Sequence, residues 1–553
     1  MRLNKFGLLL VFFTFTLSSF TQSNNYFYGS FESNGVYYQE NEDEKYKDKF
    51  ASNNYLNLKY ILNSSWNFEV QVESYSPMRL QNYSDSFENT HLSTLNINYS
   101  KNNFGFTIGS IYDQFGSGLI LRTWEDRQLG INNSIWGLRS TYGNDKVNLK
   151  LLGGWQKKGS QISVGKVIGF DSEFTLINSS DIYENLILGL SYVGRFENLS
   201  IPDIYPPVGY DFNDLTSLFS GRIDYVKNDF YLSYEQIYKS KDGVALQGAI
   251  FNDFIKEGAA HSLNIGLAKS GFGIDFSFRR LENMGFYSDR FEQGEVFNET
   301  TINYLPALTK QHDYLLTNIN VYESQPYVSF PDPSLMKSGE IGYQMDLYYD
   351  VKKNTFIGGK YGSKLSINIS SWYNLDGDYS YNPLDYKSDL FAFGEKYFSE
   401  QSFELRKKWS EKFDNIFLFV NKYYNKRYVE EKIGEINSQI FVLDNTLKLD
   451  NKKSVRFELQ HLFNKDDKKN WYGYGLEYNF NYNFSTYFNT IVNYQNTEEN
   501  KPNYYSFGAS YSKNASRYSI SYGKQRGGLL CYGGICRYVP EFKGISFSIN
   551  TSF

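Results

Sequence analysis

Apolar and polar side chains alternate with a period of two in short runs along almost the whole chain, and no other feature restricts its fold as strongly. Leu56, Leu58, Tyr60 and Leu62 alternate with Asn57, Lys59 and Ile61, and Trp66, Phe68, Val70 and Val72 alternate with Asn67, Glu69, Gln71 and Glu73. The spacing returns at Leu95, Ile97 and Tyr99, at Phe272 to Phe278, at Leu365 to Ile369 and at Val455 to Leu459. Successive side chains of a strand point to opposite faces, so each run reads as a strand with one apolar and one polar side. No amphipathic helix of similar regularity competes, and the fold class is all-β. The 50 Tyr and 46 Phe among 553 residues suit strands.

The N-terminus has a different character. Arg2 and Lys5 precede an apolar run from Phe6 to Leu17, and Ser18 to Gln22 form a small, polar exit. This is the pattern of a cleaved export signal over residues 1–22, leaving 23–553 as one unit. The run is shorter than the ~20 residues of a spanning helix. Its end carries no cysteine, so no lipid anchor is expected. No later stretch is apolar enough for a helical span, and mean hydropathy is negative. An exported chain of alternating strands without a Pro-rich linker or charge block points to a large, single-chain, antiparallel transmembrane β-barrel, whose strands hide polar residues in the lumen. By eye the strands number about 26.

Connection lengths orient such a barrel. Asn63 to Ser65, Lys101 to Asn103, Gly143 to Asp145, Lys227 to Asp229 and Lys513 to Ser516 are short turns, whereas Glu40 to Ser52, Pro77 to Thr90 and the region from Phe115 to Asn133 are long. Barrels of the bacterial outer membrane keep short turns on the periplasmic side and long loops outside. Strands are least clear between Gly285 and Ser338. The last strand sets Ile545, Phe547, Ile549, Thr551 and Phe553 on one face against Ser546, Ser548, Asn550 and Ser552. Ending on an aromatic residue, it resembles the C-terminal signature that the barrel-assembly machinery reads. Tyr26 to Tyr38 already reads as a strand, so no N-terminal plug domain is expected, and the lumen must be open or blocked by loops.

Searches for chemistry return little. His91, His261, His312 and His461 are far apart and form no ligand pair, and neither a nucleophile elbow nor a phosphate-binding glycine loop is present. Catalytic residues, a metal and a cofactor are therefore not expected. A hydrolase would need a Ser or Asp brought beside one of the histidines by the fold. The net charge of −5 gives no reason to expect nucleic acid as a partner. Gly116-Ser117-Gly118 permits tight bends before Arg122, Glu125, Asp126 and Arg127, whose opposed charges suit a pore constriction, with Arg139 a further lumen candidate. The alternative is a surface loop with solvated or internally paired charges. Cys531 and Cys536 bracket Tyr-Gly-Gly-Ile and are expected to form a disulfide outside the cytoplasm, worth about 2 kcal/mol for so short a loop. Lys524, Arg526 and Arg537 make that connection basic.

At Gly116 to Arg122 with Glu125-Asp126-Arg127, and at Cys531 to Pro540 followed by the terminal strand, the sequence resembles a family of Bacteroidota outer-membrane barrel proteins without an assigned activity. The resemblance implies location and fold and supplies no substrate. Expected partners are outer-membrane lipid and lipopolysaccharide, the assembly machinery during biogenesis, and an envelope protein. Two functions follow: a porin-like channel for small hydrophilic solutes, or a non-conducting scaffold or accessory subunit of a secretion or gliding apparatus.

Overall fold

The computed structural model describes residues 25–41, 49–179, 183–198, 213–243, 245–246, 249–250, 255–290, 299–450, 452–466, 468–496 and 503–553. The expected export signal, residues 1–22, lies outside the described residues. Twenty-four strands pair antiparallel with their sequence neighbours, and the first, Tyr26–Asn41, pairs with the last, Phe542–Ser552, so the sheet closes on itself. The wall thus has 24 strands, not the 26 counted by eye. Several strand-like pieces leave the wall and pair only with each other: Gln114–Phe115 with Leu121–Arg122, Glu125–Asp126 with Ile131–Asn132, Ser329–Asp332 with Leu335–Lys337, and Gly528–Tyr532 with Ile535–Val539. Alternation identifies a strand but not the sheet it joins.

The two rims differ. One carries tight turns, where Asn63, Asn102, Asn228 and Asn514 adopt φ of 52°, 53°, 51° and 54°, the left-handed region that Asn tolerates better than most residues. The other carries the long connections 76–88, 112–134, 283–338 and 526–541. Along the wall, Leu138, Leu151, Leu190 and Ile520 are 61%, 59%, 58% and 57% exposed on the outer surface. A closed wall with apolar side chains standing outward on strand after strand is the architecture of a transmembrane barrel, because so extended an apolar surface is rare on a soluble monomer.

The lumen is packed at the long-connection end. Phe115, Ile120, Phe286 and Ile302 from the connections meet Leu152, Val167, Val193 and Leu218 of the wall in one dry cluster. Leu316 and Ile319 meet Leu418, Ile440 and Leu462 in a second, and Tyr322 meets Trp372, Phe398 and Tyr424 in a third. Connection 283–338, which contains the Gly285–Ser338 stretch of poorest strand signal, therefore reaches, through its described residues, wall sectors on several sides of the barrel. Its apolar residues serve burial rather than pairing. Each buried aliphatic side chain contributes about 2 kcal/mol.

Candidate functional site

The mouth of the barrel gathers most of the residues singled out above. Gly116 adopts φ 51°, a conformation that favours glycine, and a Cβ there would displace the Glu235 carboxylate, whose Oε1 would lie 2.8 Å away. Ser117 donates to Glu235 of the wall through both its backbone N–H and its hydroxyl. Arg122 is held between segments: its N–H donates to Ile302 O at 3.0 Å, and its guanidinium lies 3.9 Å from the Tyr304 ring centre. Glu125 accepts from Gln71 at 3.0 Å and from Arg127 Nε at 2.8 Å, and Arg127 reaches Glu32 at 2.6 Å. Asp126 caps its own turn by accepting from Gln128 and Leu129 N–H groups at 2.8 and 2.9 Å. Arg139, on the wall, pairs with Asp113 at 2.9 Å, as does Lys150 at 2.8 Å. The fold thus brings Arg122, Glu125, Arg127 and Arg139 to the lumen, the last three as clamps between loop and wall and Arg122 as a clamp between two connections.

A second set of clamps escaped the sequence reading. Arg195 and Arg290 both bond Asp242, at 2.5 and 3.1 Å. Arg279 pairs with Glu340 at 2.7 Å, and Glu340 also accepts from the Tyr322 hydroxyl at 2.6 Å and the Gln325 N–H at 2.7 Å. Lys422 donates to Thr317 O at 2.9 Å and pairs with Glu400 at 3.4 Å, and His312 approaches the same carboxylate at 3.2 Å. Each node ties connection 283–338 to the wall through groups withdrawn from water. The one hint in the sequence was a charged residue near the long-connection end of a polar strand face. Its partner could not be read, because Arg195 and Asp242 stand 47 residues apart, and Lys422 and Thr317 stand 105 apart.

The cysteine hairpin caps this assembly. Cys531 and Cys536 are directly opposite in its ladder and disulfide-bonded. Its tip turns into the mouth, where Gly533 O accepts from the Tyr304 hydroxyl at 2.6 Å and Gly534 O from the Ala307 N–H at 2.8 Å. Arg537 donates to Gln128 O at 2.8 Å, and burial pushes its guanidinium down to about 10.

At the seam, Ile545, Phe547, Ile549 and Thr551 pair with Tyr37, Gly35, Ser33 and Phe31 of the first strand. Phe547 lies over Gly35 and Phe553 over Gly29, and Phe553 exchanges two backbone hydrogen bonds with Gly29, at 2.8 and 2.9 Å. Among the described residues no group of three or more His, Cys, Asp or Glu could hold a metal ion. There the histidines meet Glu73, Tyr234, Glu400 and Tyr494, and no serine or aspartate bonds any of them.

Fold and mouth together define a class: a 24-stranded transmembrane-type barrel whose own connections fill one end of its lumen. The chain belongs to the family of unknown function DUF6029, whose profile matches residues 2–553. No curated protein matches it. Among solved structures it is similar to a mutant of the ferric enterobactin receptor PfeA of Pseudomonas aeruginosa, with TM-score 0.43, 10% identity, and coverage of 96% of this chain and 81% of that one. The siderophore receptor PirA of Pseudomonas aeruginosa gives TM-score 0.39 at 8% identity over 96% and 81% of the two chains. The copper transporter OprC gives 0.40 at 10% identity over 95% and 83%.

Proposed function

We propose that this chain is an outer-membrane barrel with its long connections outside the cell and its short turns in the periplasm, and that its resting form does not conduct. In this reading it serves as a membrane-anchored scaffold or accessory subunit of an envelope complex. The observation that carries the reading is the attachment of connection 283–338 to several sectors of the wall, through dry apolar clusters, the Arg290–Asp242 ion pair and hydrogen bonds to Glu340 and Lys422. Ions would have to cross packed aliphatic and aromatic side chains, at a cost no passive pore accommodates. In a planar bilayer, folded protein should give no conductance steps, whereas deletion of residues 284–338 should give large, steady ones. Discrete steps from the intact chain would overturn the proposal.

A porin-like passage for small hydrophilic solutes is the second reading, favoured by one observation. A cleft of about 230 Å³ lies against the wall at the seam, lined by Asn34, Ser519, Ser521, Ser546 and Ser548 with Val36 and Phe547, and touched by Leu80 of connection 76–88. Passage would then require the connections to move away from this hydroxyl-bearing sector, and conductance would appear only on gating.

A further inference from the structure

The short-turn rim is chemically lopsided. The turns at Asn102–Asn103 and Asn228–Asp229 present small polar residues alone. In contrast, the turn after strand Gly339–Val351 exposes Phe356 fully and Ile357 by half, and the turn after strand Leu384–Lys408 leaves Trp409 56% exposed. These two turns flank the paired strands Ser363–Tyr381 and Leu384–Lys408 and are therefore neighbours on the rim. With the strand ends beside them they carry Lys352, Lys353, Lys360, Lys407, Lys408 and Lys412 against Asp350, Glu411 and Asp414, of which Asp350 accepts from the Tyr348 hydroxyl and Asp414 pairs with Lys448. Among the described residues none of the six lysines has a carboxylate within ion-pair distance. Several lie instead over rings: Lys407 is 4.2 Å from the Trp409 centre, and Lys360 and Lys408 are each 5.3 Å from the Tyr361 centre.

Register places this cluster relative to the membrane. Ile367 pairs with Phe403, Leu365 with Leu405 and Ser363 with Lys407 in one phase of the ladder, where Ile367 faces outward and Ser363 is covered by the adjoining turn through its bond to Ile357 O, whereas Asn368 in the opposite phase is buried toward the lumen. Lys407 thus stands one step beyond an apolar row that faces outward. A lysine at the end of such a row keeps its stem in the apolar layer and its ammonium at the boundary. Tryptophan and phenylalanine beside it prefer the same depth. The lysines of the two turns outnumber the carboxylates beside them, and the resulting local positive field attracts acidic headgroups.

We infer that Lys352, Lys353, Lys360, Lys407 and Lys412, with Phe356 and Trp409, form a binding site for anionic phospholipid in the leaflet facing the short turns. The inference rests on the membrane placement proposed above. Continuity with the outward apolar row favours lipid over a soluble partner, since a protein socket would lie beneath the rim rather than along its outer edge.

The test uses the full chain, with its disulfide intact, in nanodiscs of phosphatidylcholine alone or with phosphatidylglycerol. A polarity-sensitive fluorophore is placed at Phe356→Cys, or at Leu138→Cys in the outward apolar surface, and nitroxide-labelled lipids of either headgroup serve as quenchers. The reporter at 138 should be quenched equally by both lipids. The reporter at 356 should be quenched preferentially by labelled phosphatidylglycerol, a preference reduced by roughly fivefold in Lys407→Gln and abolished by high salt. Equal quenching at 356 by both headgroups, or a reporter that stays in water in both discs as a protein-docking face requires, overturns the lipid site while leaving membrane placement intact. Failure of quenching at 138 overturns the placement and the site together.

Discussion

At the scale of single residues, the seam between the two ends of the chain depends on glycines that no inspection of propensity would single out. Gly35 lies beneath the Phe547 ring, and a Cβ there would sit 2.2 Å from Phe547 Cζ. Gly35→Val should therefore force the ring out of its place and cost about 1–3 kcal/mol, as overpacking does. Combining it with Phe547→Ala should cost less than the sum of the two single changes, because the clash and the ring vanish together. Urea titration followed by the unheated gel shift of the folded barrel would read both effects, and strict additivity would refute the contact. The terminal residues themselves were legible, since alternation alone sorted Ile545, Phe547, Ile549, Thr551 and Phe553 onto one face. Their opposite number, Gly35, was not, because a glycine has no side chain to report which face it serves.

At the scale of elements, connection 283–338 behaves over its described residues as a buried segment rather than a loop, and it carries a titratable group of its own. Burial pushes the Glu323 carboxyl up from its ordinary 4.5 to about 7, and the Lys337 ammonium only partly offsets this. A carboxyl that holds its proton more tightly when folded contributes stability that is complete below about 4.5 and is lost as the pH rises toward about 7. Burial also pushes Lys337 down to about 8 from 10.5, so its cost is relieved only in the separate alkaline window between those values. Amide hydrogen exchange around Tyr322 to Val328, corrected for intrinsic rates, should accelerate from pH 5 to pH 7.5. Glu323→Gln should remove that dependence, and an unchanged pH response in the variant would show that another group sets it. The sequence disclosed the strands and tight turns well, because period-two alternation and Asn-rich turns are local. This connection was opaque for a physical reason: its order comes from contacts with strands on several sides of the barrel, and no local period records them.

At the scale of the whole molecule, the question is what keeps the lumen filled, and the structure supplies two kinds of attachment that can be separated. Arg279 and Glu340 hold residues 322–325, while Lys422 and Glu400 hold the stretch from His312 to Thr317. Removing one partner of a buried pair leaves the other charge uncompensated, at a cost of about 3–5 kcal/mol. Each of Arg279→Ala and Lys422→Ala should thus loosen one part of the connection while the other node and the apolar clusters still hold it. In a planar bilayer the single variants should give rare, brief openings, and the double variant should open often, since both ends of the 312–325 stretch are then free to leave the wall together. If the double variant stays as silent as the unaltered chain with its barrel intact, the ion pairs are incidental, and the seal rests on clusters such as Leu316 and Ile319 against Leu418 and Ile440. That result would assign the closure to the hydrophobic effect alone, and Leu316→Asp, which places a charge at the centre of the second cluster, would become the change that opens the barrel.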